Sequence, residues 1–369
     1  MGNNAAMNTT NVELEVDRRD LARTRIVERP LAPLPPGHVR FAIESYALTA
    51  NTVTYAVTGD VLGYWDFYPS IEAGWGRVPA MGWAKVVESN HPGVTAGGRY
   101  FGWYPMARSV DVAVSPTADG LRDEGPHRAA HAPVYRAYTD TDRDPMYEPG
   151  EDAEDRQALL RGLFVTGFLA EDFFADNGWF GARRVVVLSA SSKTAIGFAH
   201  CAASRGGIEV IGLTSRANLP FVRHVGCYDE ALAYDEVESI PAGEGIVSID
   251  MSGNGEVLAR VHRHFGGQLA HSMAIGRSHH DSPPAAKDLD GPRPAFFFAP
   301  TQVKKRLQDW GPREYQSRIS AALHGFVEAS RGWLEVTRVS GPAAATETWR
   351  TVHAGRAAPS VGYIVSLEK

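Results

Sequence analysis

The residues best suited to hold a charged ligand sit in one turn. Ser191, Ser192, Lys193 and Thr194 bring three hydroxyls and an ammonium to the junction between the apolar run 185–188 and a segment of helical spacing that starts near Ala195. A strand that turns directly into a helix aims backbone N–H groups and a positive dipole end at the turn, which favours a phosphate there. The dinucleotide fingerprint G-x-G-x-x-G uses three glycines for the tight turn, the approach of the pyrophosphate and close helix packing. Counting back from Gly197, the first two positions hold Ser192 and Thr194, so only the third glycine is kept. These residues alone leave two readings open: a phosphate-binding turn, or an ordinary strand-turn-helix of an α/β domain.

About 20 residues past the last fingerprint glycine, an NAD site carries an acid for the ribose hydroxyls. This chain has Thr214, Ser215 and Arg216 there. Hydroxyls and a guanidinium suit a 2′-phosphate, which a carboxylate would repel. NADP(H) is the expected cofactor, with Lys193 able to reach either phosphate group.

Such a turn needs a buried parallel sheet to hold it. Short apolar runs at 209–213, 231–234, 245–251 and 268–275 alternate with helical segments at 218–225 and 257–265, the pattern of a doubly wound sheet. A helix with Leu159, Leu163, Phe164, Phe168 and Phe173 on one face precedes the first strand, and another is expected at 315–330. The N-terminal part is β-rich: Val39, Phe41 and Ile43 alternate with polar neighbours, after a charged lead-in at 12–26 that is helical or extended. A short helical or irregular segment from Leu48 brings Asn51 and Tyr55 together across one turn. The aromatic loop with Tyr64, Trp65, Phe67, Tyr68, Trp75 and Trp83 fits a core or interface better than a ligand pocket. The stretch 117–153 is too long for a plain connection and is expected as a lid or surface excursion. His127, Arg128 and Tyr135 are its candidates for substrate contact, against the commoner expectation of solvated loop side chains.

The 369 residues, 44% of them hydrophobic, suffice for two domains with sizeable cores. A net charge of −6 without blocks of like charge argues against nucleic acid. Cys201 and Cys227 are too few for a disulfide framework or a four-cysteine zinc site. No run approaches the length of a membrane helix, and the first ten residues lack signal-peptide features, so the cytoplasm is the expected location.

Four stretches carry a family resemblance: PPGHVRFAIESYALTANTVTYAVTGD, VPAMGWAKVVESNHPGVTAGGRYFGW, VVVLSASSKTAIGFAHCAASRGGIEVIGLTSR and GRAAPSVGYIVSLEK. In order and layout they resemble the medium-chain dehydrogenase/reductase superfamily, in its zinc-independent quinone oxidoreductase and enoyl reductase branch. The resemblance implies an α/β fold in which a Rossmann doubly wound parallel sheet is inserted in a GroES-like β-rich domain. The expected boundaries are 1–160 for the GroES-like catalytic domain, 161–309 for the Rossmann NADP-binding domain and 310–369 for the return to the catalytic domain. It also implies a nicotinamide ring in the cleft between domains, and a homodimer.

Zinc-dependent members carry a cysteine at the start of the segment that here reads ALTANT, and Gly-His-Glu where this chain has Met81, Gly82 and Trp83. No metal site is expected; His279, His280 and Asp281 are a poor set, since adjacent histidines do not converge easily on one ion.

The resemblance places Tyr55 at an active-site tyrosine, with Asn51 able to bond the same substrate oxygen, and Tyr46, Tyr64 and Trp65 as second-rank pocket candidates. It sets Tyr234 near the 2′-phosphate, and Ile275 and Gly276 beside the nicotinamide. The implied activity is NADPH-dependent hydride transfer to a quinone or activated C=C acceptor, a small molecule. The alternatives are an enoyl-thioester reductase of specialised metabolism and a non-catalytic NADP-binding protein.

Overall fold

The computed structural model describes residues 9–243, 245–275 and 288–368. The chain divides into two compact units, 1–159 with 336–357 and 361–369, and 160–335 with 358–360.

The first unit begins with strands β1 (Thr10–Asp17), β2 (Thr24–Pro30) and β3 (His38–Leu48), and passes through helices α1 (Ala50–Val57) and α2 (Gly59–Leu62) to β4 (Trp75–Gly76). It continues with β5 (Pro79–Ser89), β6 (Arg99–Pro105), β7 (Ser109–Pro116), β8 (Gly120–Asp123), α3 (Pro133–Arg136) and β9 (Ala137–Asp140). From β3 the ladder runs through β5, β6, β9, β8 and β7 and back to β3. The sheet closes into a barrel, which leaves these strands no free edges. Inside it, Phe41 of β3 meets Tyr138 and Tyr104 at ring-centroid distances of 4.8 and 5.5 Å.

Strand β1 is buried on both faces. Val12, Leu14 and Val16 point one way; on the other side the buried Glu13 and Glu15 are paired by Arg25, Arg29 and Arg77. Of the two conformations open to this lead-in, the chain takes the extended one, and its charges are compensated inside rather than solvated.

The stretch 117–153 is more than a lid or excursion, because it supplies the barrel strands β8 and β9. Their sequences, GLRD and AYTD, are too short and polar to show the pattern, although Leu121 and Tyr138 are buried. Arg128 is not a solvated side chain either. It is fully buried, with its guanidinium 3.9 Å above Phe67 and 3.5 Å from Asp123, and it donates to the Tyr135 carbonyl.

Helix α4 (Glu151–Asp176) leads into the second unit. There β10 (Arg184–Leu188), α5 (Lys193–Arg205), β11 (Glu209–Thr214), α6 (Leu219–Val225), β12 (Glu230–Ala233), β13 (Ile246–Asp250), α7 (Gly255–Phe265), β14 (Leu269–Ala274) and β15 (Ala295–Phe296) follow, then α8 (Ala299–Asp309) and α9 (Pro312–Ser330). The strand order is β12-β11-β10-β13-β14-β15, with every pairing parallel. The chain leaves β10 in one direction for β11 and β12, then crosses back to β13, so the winding reverses between β10 and β13. Ligands of open α/β sheets bind at such a reversal, outside the carboxyl ends of the strands. Val186, Leu188, Ile211, Leu213 and Ile246 are buried in the core that holds those strand ends in place.

Helix α9 belongs to the second unit, so the chain returns to the first at Val336; the expected 310 differs from this by that helix. Strands β16 (Glu335–Ser340) and β17 (Val361–Ser366) close the chain, and β17 pairs with the carboxyl end of β3. Helix α10 (Pro342–His353) lies between these two strands; Pro342 opens it, and the buried Trp349 anchors it by donating to the Leu21 carbonyl at 2.8 Å.

Candidate functional site

In the second unit, β10 ends in a turn whose first residue, Ser189, has φ 61°. A side chain in that left-handed region costs about 1–2 kcal/mol, which is why a glycine is usual in such turns. Here other contacts hold the turn. The Tyr234 hydroxyl bonds to Ser189, and the Tyr228 hydroxyl donates to the Ala190 carbonyl at 2.8 Å. Ser192 caps α5, its Oγ accepting from the Ala195 N–H at 3.3 Å. Ser191 Oγ accepts from Thr214 Oγ1 at 3.4 Å and from Asn218 Nδ2 at 3.1 Å. Side-chain hydrogen bonds thus hold the turn in its left-handed start, and they join the ends of β10 and β11.

The glycine that is kept has a different purpose. A Cβ on Gly197 would stand 3.3 Å from the Phe164 ring, and one on Gly167 only 2.7 Å from both Phe198 N and Thr194 O. Helices α4 and α5 cross backbone to backbone at these positions. Thr194 lies on that crossing and is half-buried. Lys193, in the first turn of α5, is half-buried with its Nζ 3.4 Å from the Pro359 carbonyl, and burial pushes its ammonium down to about 8.

Past the carboxyl ends of β11 and β12, Ser215, Arg216, Tyr234, Asp235, Glu256 and Arg260 line a pocket of about 390 Å³. Arg216 donates to Asp235 Oδ2 through Nε at 2.9 Å and Nη2 at 2.7 Å, and lies 3.4 Å from Glu236. The hydrogen bond it donates to Asp235, more than any other cause, raises the guanidinium above its ordinary value. Arg260 donates to Glu238 at 2.6 and 2.8 Å and to the Asp235 carbonyl at 3.2 Å. The stretch 214–216 carries no acid of its own, yet folding brings carboxylates to Arg216 from the segment after β12. Asp235 and Glu236 directly follow Tyr234, so the signal was one residue away; Arg260 has no local motif and is reached only through the polar face of α7. Ile275 leaves β14 with its N–H donating to the Asp250 carbonyl at 2.9 Å. Gly276, His279, His280 and Asp281 lie outside the described residues.

In the first unit, Asn51 and Tyr55 share helix α1 and hydrogen-bond to each other. Tyr55 is buried; its Oη accepts from Trp103 Nε1 at 3.1 Å and its ring packs 4.7 Å from that of Tyr64. Burial, with the neighbouring Tyr135 adding to it, pushes the phenol well above its ordinary value. Tyr64 is half-buried, its hydroxyl 3.2 Å from that of Tyr135.

The other two pocket candidates lie in the interior. Trp65 is 4% exposed and slotted between Gly59 and Gly76, where a Cβ on either glycine would reach within 2.3 Å of the indole. Tyr46 is 1% exposed and runs along Gly82 in the β3–β5 ladder. Both make core rather than pocket wall. Among the described residues no three His, Cys, Asp or Glu side chains gather as metal ligands, and no helix is long and apolar enough to cross a membrane.

A family model described as "Protein of unknown function (DUF2855)" matches residues 46–358. The chain belongs to the DUF2855 family. No curated protein matches it. Among solved structures it is similar to CurA from Vibrio vulnificus, at 12% identity and TM-score 0.58 over 97% of this chain and 99% of that one. It is also similar to the yhdH oxidoreductase from Salmonella enterica in complex with NADP, at 17% identity and TM-score 0.54 over 97% and 100%. The CurK enoyl reductase is a third, at 13% identity and TM-score 0.53 over 96% and 99%. The likeness establishes the fold. This member of the DUF2855 family has the medium-chain dehydrogenase/reductase fold, a Rossmann sheet with a GroES-like barrel, on a divergent sequence.

Proposed function

We propose that this chain is an NADP(H)-dependent, zinc-independent oxidoreductase that transfers hydride to a quinone or an activated C=C acceptor. The observation that carries this reading is the second unit's site at the winding reversal: a strand-turn-helix ending in the α5 N-terminus, next to a pocket with two guanidiniums. These residues fit the cofactor. Ser191, Ser192, Lys193, Thr194 and the α5 N-terminus would hold its pyrophosphate, Gly197 sets the helix crossing, and Thr214, Ser215, Arg216 and Tyr234 with Arg260 would hold its adenosine end. Ile275 is proposed beside the nicotinamide. The neighbours solved with NADP or NADPH support the assignment.

When bound, the cofactor supplies hydride, and a proton must then reach the acceptor oxygen. Tyr55 is proposed to donate a hydrogen bond to that oxygen and Asn51 to orient it, with Tyr64 beside them. A phenol raised by burial is a weak acid but a persistent donor, so its role is to hold the developing oxyanion. We also propose a cytoplasmic homodimer; the end strand β15, with Phe296 exposed on it and Phe298 exposed just before α8, supports pairing of copies.

The test is NADPH oxidation by the purified chain with a panel of quinones, enones and enoyl thioesters. Turnover with an acceptor of the first two classes is expected. Turnover with thioesters alone would replace this reading by enoyl-thioester reduction, and binding of NADPH without oxidation by any acceptor would refute the enzyme.

A further inference from the structure

The pocket proposed for the adenosine end carries its own counter-ions. Arg216 and Arg260 bring two positive charges to its walls, and Asp235 and Glu256 two negative ones. Asp235 engages both arginines: its carboxylate holds the fork of Arg216 through two donors, and its carbonyl takes Arg260 Nη2 at 3.2 Å. Arg260 is further held by Glu238.

A 2′-phosphate entering this pocket must take the Arg216 fork away from Asp235. The exchange is feasible, because the pair is largely solvent-exposed, 63% for the arginine and 52% for the aspartate, and such pairs are weak. It leaves the displaced carboxylate close to a phosphate dianion. A cofactor without the phosphate meets the reverse situation, since its ribose 2′- and 3′-hydroxyls are donors that a carboxylate accepts. The same two side chains therefore serve either ligand, Arg216 for the phosphate and Asp235 for the diol.

We propose that Asp235 is the residue that sets cofactor specificity in this pocket, an internal competitor for Arg216 that limits the preference for NADP(H) and lets the site accept NAD(H). This rests on the reading of the second unit as a dinucleotide site and adds to it the group that tunes the choice. Repulsion between a carboxylate and a phosphate dianion about 6 Å apart in a water-like medium corresponds to roughly tenfold in affinity before salt screening.

The test is calorimetric titration of the full chain with NADPH and with NADH at low salt, for wild type, Asp235→Asn and Arg216→Ala. Asp235→Ser, which makes the same charge change with a different side chain, is the second variant should the first fold poorly. The ratio of NADPH to NADH affinity is expected to rise about five- to tenfold on removal of the carboxylate and to fall in Arg216→Ala. An unchanged or lower ratio in the Asp235 variants, with wild type binding NADPH, overturns this proposal alone. Failure of wild type to bind either dinucleotide overturns it together with the reading beneath it.

Discussion

Replacing Tyr55 by Phe deletes one oxygen and leaves the ring in place against Tyr64. That oxygen accepts from Trp103 Nε1 at 3.1 Å inside the first unit. Its loss strands a buried indole N–H, at a cost of about 1–3 kcal/mol in stability. If the same hydroxyl also holds the acceptor oxygen, turnover falls by about 100-fold or more. A denaturant titration measures the first effect and steady-state NADPH oxidation the second. A double-mutant cycle with Trp103→Phe separates them: the stability loss from Tyr55→Phe is smaller in the Trp103→Phe background, where no indole N–H is stranded, whereas the turnover loss is the same in both. NADPH affinity is unchanged throughout. Because burial holds the phenol above its ordinary value of 10.0, wild-type turnover shows no alkaline limb from Tyr55 near that pH. A folded Tyr55→Phe protein with wild-type turnover would refute the role given to this side chain, and so would a double variant that regains turnover.

Gly167→Ala places a Cβ 2.7 Å from two backbone atoms of α5, and overpacking of that kind costs about 1–3 kcal/mol, read as a lower denaturant midpoint at unchanged slope. Lys193 is charged below about 8, so NADPH affinity is expected to fall as pH rises through that value, and Lys193→Met should remove the dependence. The sign for stability is opposite: with the folded value depressed from 10.5, the unfolded chain binds more protons between about 8 and 10.5, and the ligand-free wild type gains stability across that window, as denaturant titrations in pH steps would show.

The doubly wound unit was legible because its strands are buried on both faces and read as continuous apolar runs, as 185–188 and 209–213 do. The barrel was legible only in part. Alternation marks β3, but β8 and β9 are four residues each and carry charges, so nothing local separates them from loop. Gly197 lies where α5 packs on α4, yet its counterpart, Gly167 on α4, is thirty positions away in a helix where a glycine reads as a weakness. At the proposed cofactor site, residue type at 214–216 pointed to a phosphate, but the charge Arg216 meets comes from Asp235 and Glu236 in the segment after β12. Electrostatic balance is a property of the assembled pocket, which no stretch of the chain displays. The aromatic loop shows the same limit: Tyr64 stays half-exposed while Trp65, its neighbour, is fixed between Gly59 and Gly76 by the fold of three separate segments.

Binding of NADP(H) by the second unit, through the glycine-poor turn and the two-arginine pocket, underlies everything proposed for this chain. Its most direct test is a calorimetric titration of wild type and of the Arg216→Ala, Arg260→Ala double variant with NADPH at two salt concentrations. Saturable one-site binding to wild type that weakens with salt is expected, with binding weakened at least tenfold in the double variant, as loss of two charge-assisted contacts of about 1 kcal/mol or more each would give. Absence of saturable NADPH binding, or equal binding by the double variant, would contradict it.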